Sequence, residues 1–276
     1  LGLYDDETSR RCAWHLSQAH YLETWGDTRA YDGTVSIAQP LIAPLFDGKS
    51  AIELLALLAG DRVGIDGSGY AIVRRTFRSL NHPLPTEPPP LDEWKWKQSL
   101  ADGIVEGTAW ESNGFSMGPL PRTPTPKPDG KFELVFFFDG KVRDGRFANN
   151  GWLQEMPEPM TRLTWDNAAL MSPKTAETLG AKQGELIAIS AGDAEILAPV
   201  FFLPGTSDRT IALALGYGRP HAGAIGSGVG HNAYPLRTMT SMGWRGVTAR
   251  PTGRMYPLAT VQDHHIVDRV GREAVR

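Results

Sequence analysis

Residues 166–219 read DNAALMSPKTAETLGAKQGELIAISAGDAEILAPVFFLPGTSDRTIALALGYGR. Ser172 can cap a helix, Pro173 fits its first turn and Gly180 suits its end, so a short helix is expected there. It is followed by ELIAIS (185–190), AEILAPVFFLP (194–204) and RTIALALGYG (209–218). These runs are rich in β-branched and aromatic residues and are bounded by Gly, Asp or Pro, which predicts strands. The AGD at 191–193 is a tight hairpin connection between the first two. Upstream, FELVFFFD (132–139) has the same character. Short strands interrupted by one helix point to a closed barrel, which leaves no exposed sheet edge. No internal repeat is evident.

The sequence changes character further upstream. Ten of the 21 prolines fall in two stretches, 83–90 and 119–128, and the second (PLPRTPTPKPDGK) predicts an extended, semi-rigid connection. Before it, Ser50 and Glu53 form a capping box ahead of LLALLAG, with Gly60 as a stop. YAIVRRTFRSL (70–80) and LDEWKWKQSLADG (91–103) also predict helices, with one of Trp94 and Trp96 in the core. Residues 25–46 scatter Gly and Pro without a period and read as irregular. The expected organisation is a helical and irregular segment (1–118), a proline-rich linker (119–131) and a β-barrel (132–276), an α+β fold that is mainly β.

Composition removes several functions. Among 276 residues the charge is −3 with both signs mixed, giving no electrostatic basis for binding nucleic acid or an anionic membrane. No run approaches the roughly 20 apolar residues of a membrane-spanning helix, so direct membrane insertion is not expected. The single cysteine, Cys12, can build neither an iron–sulfur cluster nor a disulfide by itself. No Gly-x-Ser-x-Gly elbow is present, and covalent nucleophilic catalysis has no support. The chain starts at Leu1 without Met, which suggests an excised fragment or processed product.

Two stretches resemble a known family. Residues 166–219, followed by GVGHNAYPLR (228–237), are similar to the molybdopterin-dinucleotide-binding barrel of the molybdopterin oxidoreductases. The matching positions are Ala176, Leu179 and Gly180 in the helix, Gly184 and Glu185 at the strand, the Pro204–Gly205 turn, the glycine-rich loop, and Asn232 with Leu236. WHLSQAHYLETWGDTRAYDGTVSIAQPLIAPLFDGKSAIELLALLAG (14–60) resembles the family's His-x-x-Glu-x-x-Gly-Asp…Gln-Pro passage in the form found in alternative complex III. The ending PLATVQDHHIVDRVGREAVR (257–276) is similar to the passage leading into the cysteine-rich half of that complex's iron–sulfur subunit.

The resemblance implies a double-psi β-barrel. It also implies a non-catalytic scaffold within a quinol:cytochrome c oxidoreductase-type electron-transfer subunit of a respiratory chain, on the periplasmic face. Its partners would be the remainder of the parent subunit and the other subunits of a membrane-bound complex. Iron–sulfur clusters would lie in that remainder, and no cofactor in this part. One alternative is a fragment of an active molybdopterin oxidoreductase holding molybdopterin guanine dinucleotide; another is a stand-alone small-ligand module stacking on Trp152 or Trp244. The loop RFANNGWLQEMPEPMTRLTW (146–165) departs from active relatives, whose pterin-contacting loop is more polar.

Residues 216–230 hold six glycines in 15 positions. Such a loop can bring backbone N–H groups to a pyrophosphate, or it can merely permit the crossing turns of a barrel. The resemblance singles out Gly226, Gly228, His231 and Asn232 as cofactor contacts; the commoner role of such an Asn is to tie a turn to backbone. His264 and His265 with Asp263 and Asp268 lack the geometry of a zinc site, and no metal ligand is assigned. His15, His20, Glu23 and Asp27 could do acid–base chemistry if buried together, but such groups more often satisfy backbone in irregular segments. No catalytic residue is assigned.

Overall fold

The computed structural model describes residues 1–60, 68–80, 90–111, 114, 118–119 and 131–261. Most of the proline-rich linker, and the tail carrying Asp263, His264, His265 and Asp268, lie outside the described residues. The chain divides into two units, Leu1–Arg122 and Thr123–Arg276.

In the first unit, Val35 and Ile37 alternate with polar neighbours, and this short period-two pattern makes a strand. Strands β1 (Gly26–Arg29) and β2 (Val35–Ala38) form an antiparallel hairpin, and β3 (Ile104–Val105) adds to β2. Residues 25–46 are therefore not wholly irregular. The hairpin was hidden because β1 (GDTR) carries no apolar residue; its turn is held by Asp32, whose carboxylate accepts the Thr34 N–H at 2.9 Å. Helices α1 (Ala51–Leu58), α2 (Gly69–Ser79) and α3 (Glu93–Asp102) complete the unit. The Ser50–Glu53 capping box closes reciprocally on α1. Trp96 is the buried member of its pair and Trp94 the exposed one. Trp96 sits among Val35, Ile37, Val73 and Val105, with the Phe77 ring edge-on at 5.2 Å.

The second unit is a closed six-stranded barrel in the order β4-β8-β5-β7-β6-β9. Its strands are β4 (Phe132–Phe138), β5 (Ala169–Met171), β6 (Glu185–Ala191), β7 (Ala194–Phe202), β8 (Thr210–Leu215) and β9 (Trp244–Met255). Pairs β4–β8 and β5–β7 are parallel; the other pairings are antiparallel. Along β4 the side chains of Phe132, Leu134 and Phe136 point into the core, as a strand's alternation requires. They meet Met171, Ile187, Ile189, Val200, Ile211 and Leu213 there. Between β5 and β6 lies α5 (Pro173–Leu179), capped by Ser172 and ended by Gly180 in the left-handed conformation. The longest strand, β9, escapes a propensity reading because Gly246, Pro251 and Gly253 interrupt it. It closes the barrel by pairing with both β4 and β6.

Candidate functional site

Strand β8 runs into the glycine-rich loop at Gly216, so this loop lies at one end of the barrel. It packs against the segment that follows β4. A Cβ on Gly226 would stand 2.4 Å from the Ala148 carbonyl oxygen, so only glycine allows that approach. Gly218 has φ +66° and a Cβ there would meet the Asn232 nitrogen at 2.2 Å. Gly228, also at positive φ, has open space where its side chain would be.

Several of the loop's backbone donors turn inward. The Gly218 N–H donates to the Val229 carbonyl at 2.6 Å, and the Gly228 N–H to the Arg219 carbonyl at 2.7 Å. The Ala222 N–H donates to the Ser227 hydroxyl (3.0 Å) and the Ile225 N–H to the Asn149 side-chain oxygen (3.0 Å). Asn232 accepts the Tyr234 N–H at 3.0 Å, the turn-tying role open to such an Asn. Of the polar residues in 146–165, Asn150 caps a short helix, α4 (Gly151–Glu155), and Asn149 serves the glycine loop.

Beneath the loop lies Asn167, buried, at the entrance to β5. Its amide nitrogen donates to the carbonyls of Ala214 (2.9 Å) and His231 (3.0 Å), and its oxygen accepts the His231 N–H (2.8 Å). Asn167 therefore fixes His231 by its backbone. The His231 ring lies edge-on to Tyr256, with centroids 5.0 Å apart, and its Nε2 is 3.9 Å from an Asp166 carboxylate oxygen. Nε2 is buried and without a hydrogen-bond partner. Burial pushes the His231 pKa down, opposed by the Asp166 charge and the Leu197 backbone. Burial likewise pushes Asp166 up, opposed by hydrogen bonding from Tyr256 and by the His231 charge. Tyr256 itself is pushed up to about 12 by burial and by the Asp166 carboxylate.

A second buried set adjoins the first. One Asp139 oxygen accepts the N–H groups of Lys141 (2.7 Å) and Val142 (2.8 Å), and the other accepts the Tyr217 hydroxyl (3.1 Å). Lys141 reaches the Leu163 carbonyl at 3.3 Å, and burial holds its pKa below the ordinary lysine value against the pull of Asp139, Glu158 and Asp166. Asp139, Glu158, Asp166 and Asn167 line a cavity of about 20 Å³, room for one water and not for a substrate. These buried groups hold the barrel end together.

Of the four residues singled out from sequence, Gly226, Gly228, His231 and Asn232 all fall in or beside this one loop. Gly226 spends its missing side chain on Ala148, and Asn232 spends its oxygen on its own turn. The residues overlooked are Asp166, Asn167, Asp139 and Lys141. The signal available for them was the Asp-Asn pair immediately ahead of a strand, a polar pair where the chain is about to enter the core.

The N-terminal polar set is not assembled into one site. His15 meets the Ser9 hydroxyl (2.6 Å) and the Gly2 carbonyl (3.0 Å). Glu23 accepts the N–H groups of His20 (2.9 Å) and Leu45 (3.3 Å), and His20 accepts that of Leu22 (3.2 Å). Asp27 has its pKa raised by burial. Each of the two histidines and Glu23 is engaged in ordering irregular chain. Among the described residues no cluster of three or more His, Cys, Asp or Glu is placed to hold a metal, and no helix is long and apolar enough to cross a membrane.

No protein-family model matches the chain, and no curated protein matches it. Among solved structures, the chain is similar to acetylene hydratase from Pelobacter acetylenicus, with a TM-score of 0.59 at 15% identity over 90% of this chain. It spans 39% of that protein's length. The likeness is one of fold alone; the second unit of this chain is the closed six-stranded barrel.

Proposed function

We propose that this chain is a non-catalytic scaffold part of an electron-transfer subunit related to the molybdopterin oxidoreductases, its barrel of the double-psi type. The sequence resemblance to alternative complex III supplies the context: a quinol:cytochrome c oxidoreductase at the periplasmic face, with iron–sulfur clusters in the remainder of the subunit. The observation that carries the reading is that several N–H groups of the glycine-rich loop are bonded within the protein. A pyrophosphate cradle needs backbone N–H groups aimed at the ligand. Here the N–H groups of Gly218, Ala222, Ile225, Gly228 and His231 already have protein acceptors. The barrel end below them is filled by Asn167, Tyr217 and the Asp139 network. These residues do not fit a dinucleotide, so no chemical step is assigned through one.

The test is acid oxidation of the full-length protein from its native source, followed by pterin fluorescence. The scaffold reading expects no pterin above background, whereas one pterin per chain would overturn it.

A further inference from the structure

Of the asparagines in the chain, Asn149, Asn150, Asn167 and Asn232 are among the described residues. Asn167 is buried. Asn149 and Asn232 are half-buried, with their side-chain oxygens on the Ile225 and Tyr234 N–H groups. Of these, only Asn150 is exposed and only Asn150 is followed by glycine. Gly151 carries no side chain to hinder its own nitrogen. Asn150 lies just outside α4 in extended backbone, at φ −98° and ψ 107°. Its Oδ1 accepts the Leu153 N–H at 3.2 Å, and its carbonyl accepts the Gln154 N–H at 3.0 Å. α4 is five residues long, and the first turn of so short a helix opens readily.

We propose that Asn150 is a site of spontaneous covalent modification, converting to aspartate and isoaspartate in the folded protein and so releasing the cap of α4. The Gly151 nitrogen gives up its proton to solvent and adds to the Asn150 Cγ. The new C–N bond replaces the Cγ–Nδ2 bond, and Nδ2 leaves as ammonia. Water then opens the cyclic imide. Opening at Cγ gives aspartate, and opening at the Asn150 backbone carbonyl gives isoaspartate, with the main chain rerouted through Cβ and Cγ. One water is consumed, one ammonia is released, and nothing is oxidised or reduced. As the nitrogen adds, negative charge gathers on Oδ1, where the Leu153 N–H already donates. The capping bond therefore assists the step that removes it. Isoaspartate lengthens the main chain at the point where the glycine-rich loop is held. On one side of that point Asn149 accepts the Ile225 N–H; on the other, Gly151 lies beside the Ile225 side chain.

The experiment holds the full-length protein at mildly alkaline pH and maps its peptides, with isoaspartyl methyltransferase labelling as the readout. Isoaspartate and aspartate are expected at 150 ahead of 149, 167 and 232. Asn113 also precedes a glycine and lies outside the described residues, so its peptide is scored separately. Gly151→Ala should cut the yield at 150 about tenfold or more, because the added methyl crowds the attacking nitrogen. That variant keeps the fold, since the new Cβ meets only the Ile225 side chain, at 3.7 Å. In isoaspartate-bearing protein, exchange of the Leu153 N–H should rise about fivefold, as loss of a helix cap requires. The proposal is overturned if Asn150 stays intact in the folded protein while the free 146–156 peptide converts, or if Asn149 converts as fast. Undiminished conversion in Gly151→Ala, or unchanged Leu153 exchange in the isoaspartate form, would overturn it as well.

Discussion

Asn167→Ala is the substitution that strikes the barrel end hardest for its size. Asn167 makes three hydrogen bonds, two as donor to the Ala214 and His231 carbonyls and one as acceptor from the His231 N–H. The ladder between β5 and β8 consists of Leu170 opposite Ala212, and the Asn167 side chain carries the pairing on where that ladder stops. Truncation leaves buried backbone groups without partners at about 1–3 kcal/mol each. Three such groups set an expected loss of at least about 3 kcal/mol. With a urea slope of about 1–3 kcal/mol per molar, the midpoint should fall by more than about 1 M at unchanged slope. Asn167→Asp provides the contrast. It keeps the acceptor for the His231 N–H but turns oxygen toward two carbonyls, so at pH 7 it should cost more than Asn167→Ala. Burial raises the new carboxyl's pKa in the folded state, and the folded state then binds more protons than the unfolded one. Its stability should therefore recover as pH falls toward about 4. A cost below about 1 kcal/mol for Asn167→Ala, or identical behaviour of the two variants at pH 7, would refute the clamp.

Gly218→Ala puts a Cβ 2.2 Å from the Asn232 nitrogen at φ +66°, and the backbone on both sides must shift; a loss of about 3 kcal/mol or more in urea unfolding is expected, against about 1 kcal/mol for the positive φ alone. Ser50→Ala removes the acceptor for the Glu53 N–H and should cost the first unit about 1 kcal/mol, read as faster amide exchange across α1. The folded-state pKa of His231 is depressed by burial, so the unfolded chain binds the extra proton as pH falls through about 6.5. Barrel stability should rise with pH across that range, and His231→Gln should flatten the rise. Asp166→Asn should steepen it by removing the charge that opposes the shift.

The strands were legible where one face or both faces are apolar. FELVFFF alternates against the core, and ELIAIS and AEILAPVFF pair with neighbours on both sides. The α5 helix was legible because Ser172, Pro173 and Gly180 act locally. What escaped depends on distant partners. β1 has no apolar residue and exists because β2 offers its ladder, and β9 holds Pro251 at an irregular register against β6. The loop's position was legible from its glycines, but not what those glycines face. Gly226 against Ala148 spans 78 residues of sequence, and no local pattern reveals whether such a glycine opens toward a ligand or closes on backbone. Asn167 was passed over for the same reason, since its partners Ala214 and His231 are 47 and 64 residues away.

The N–H groups of Gly218, Gly228 and His231 are bonded within the protein, so inorganic pyrophosphate has no donor to capture at those three positions. Amide NMR of the labelled chain, titrated with pyrophosphate to millimolar concentration, should leave those three resonances in place. Saturable shifts centred on them would mean that the loop opens to an anion and that its glycines serve a ligand after all.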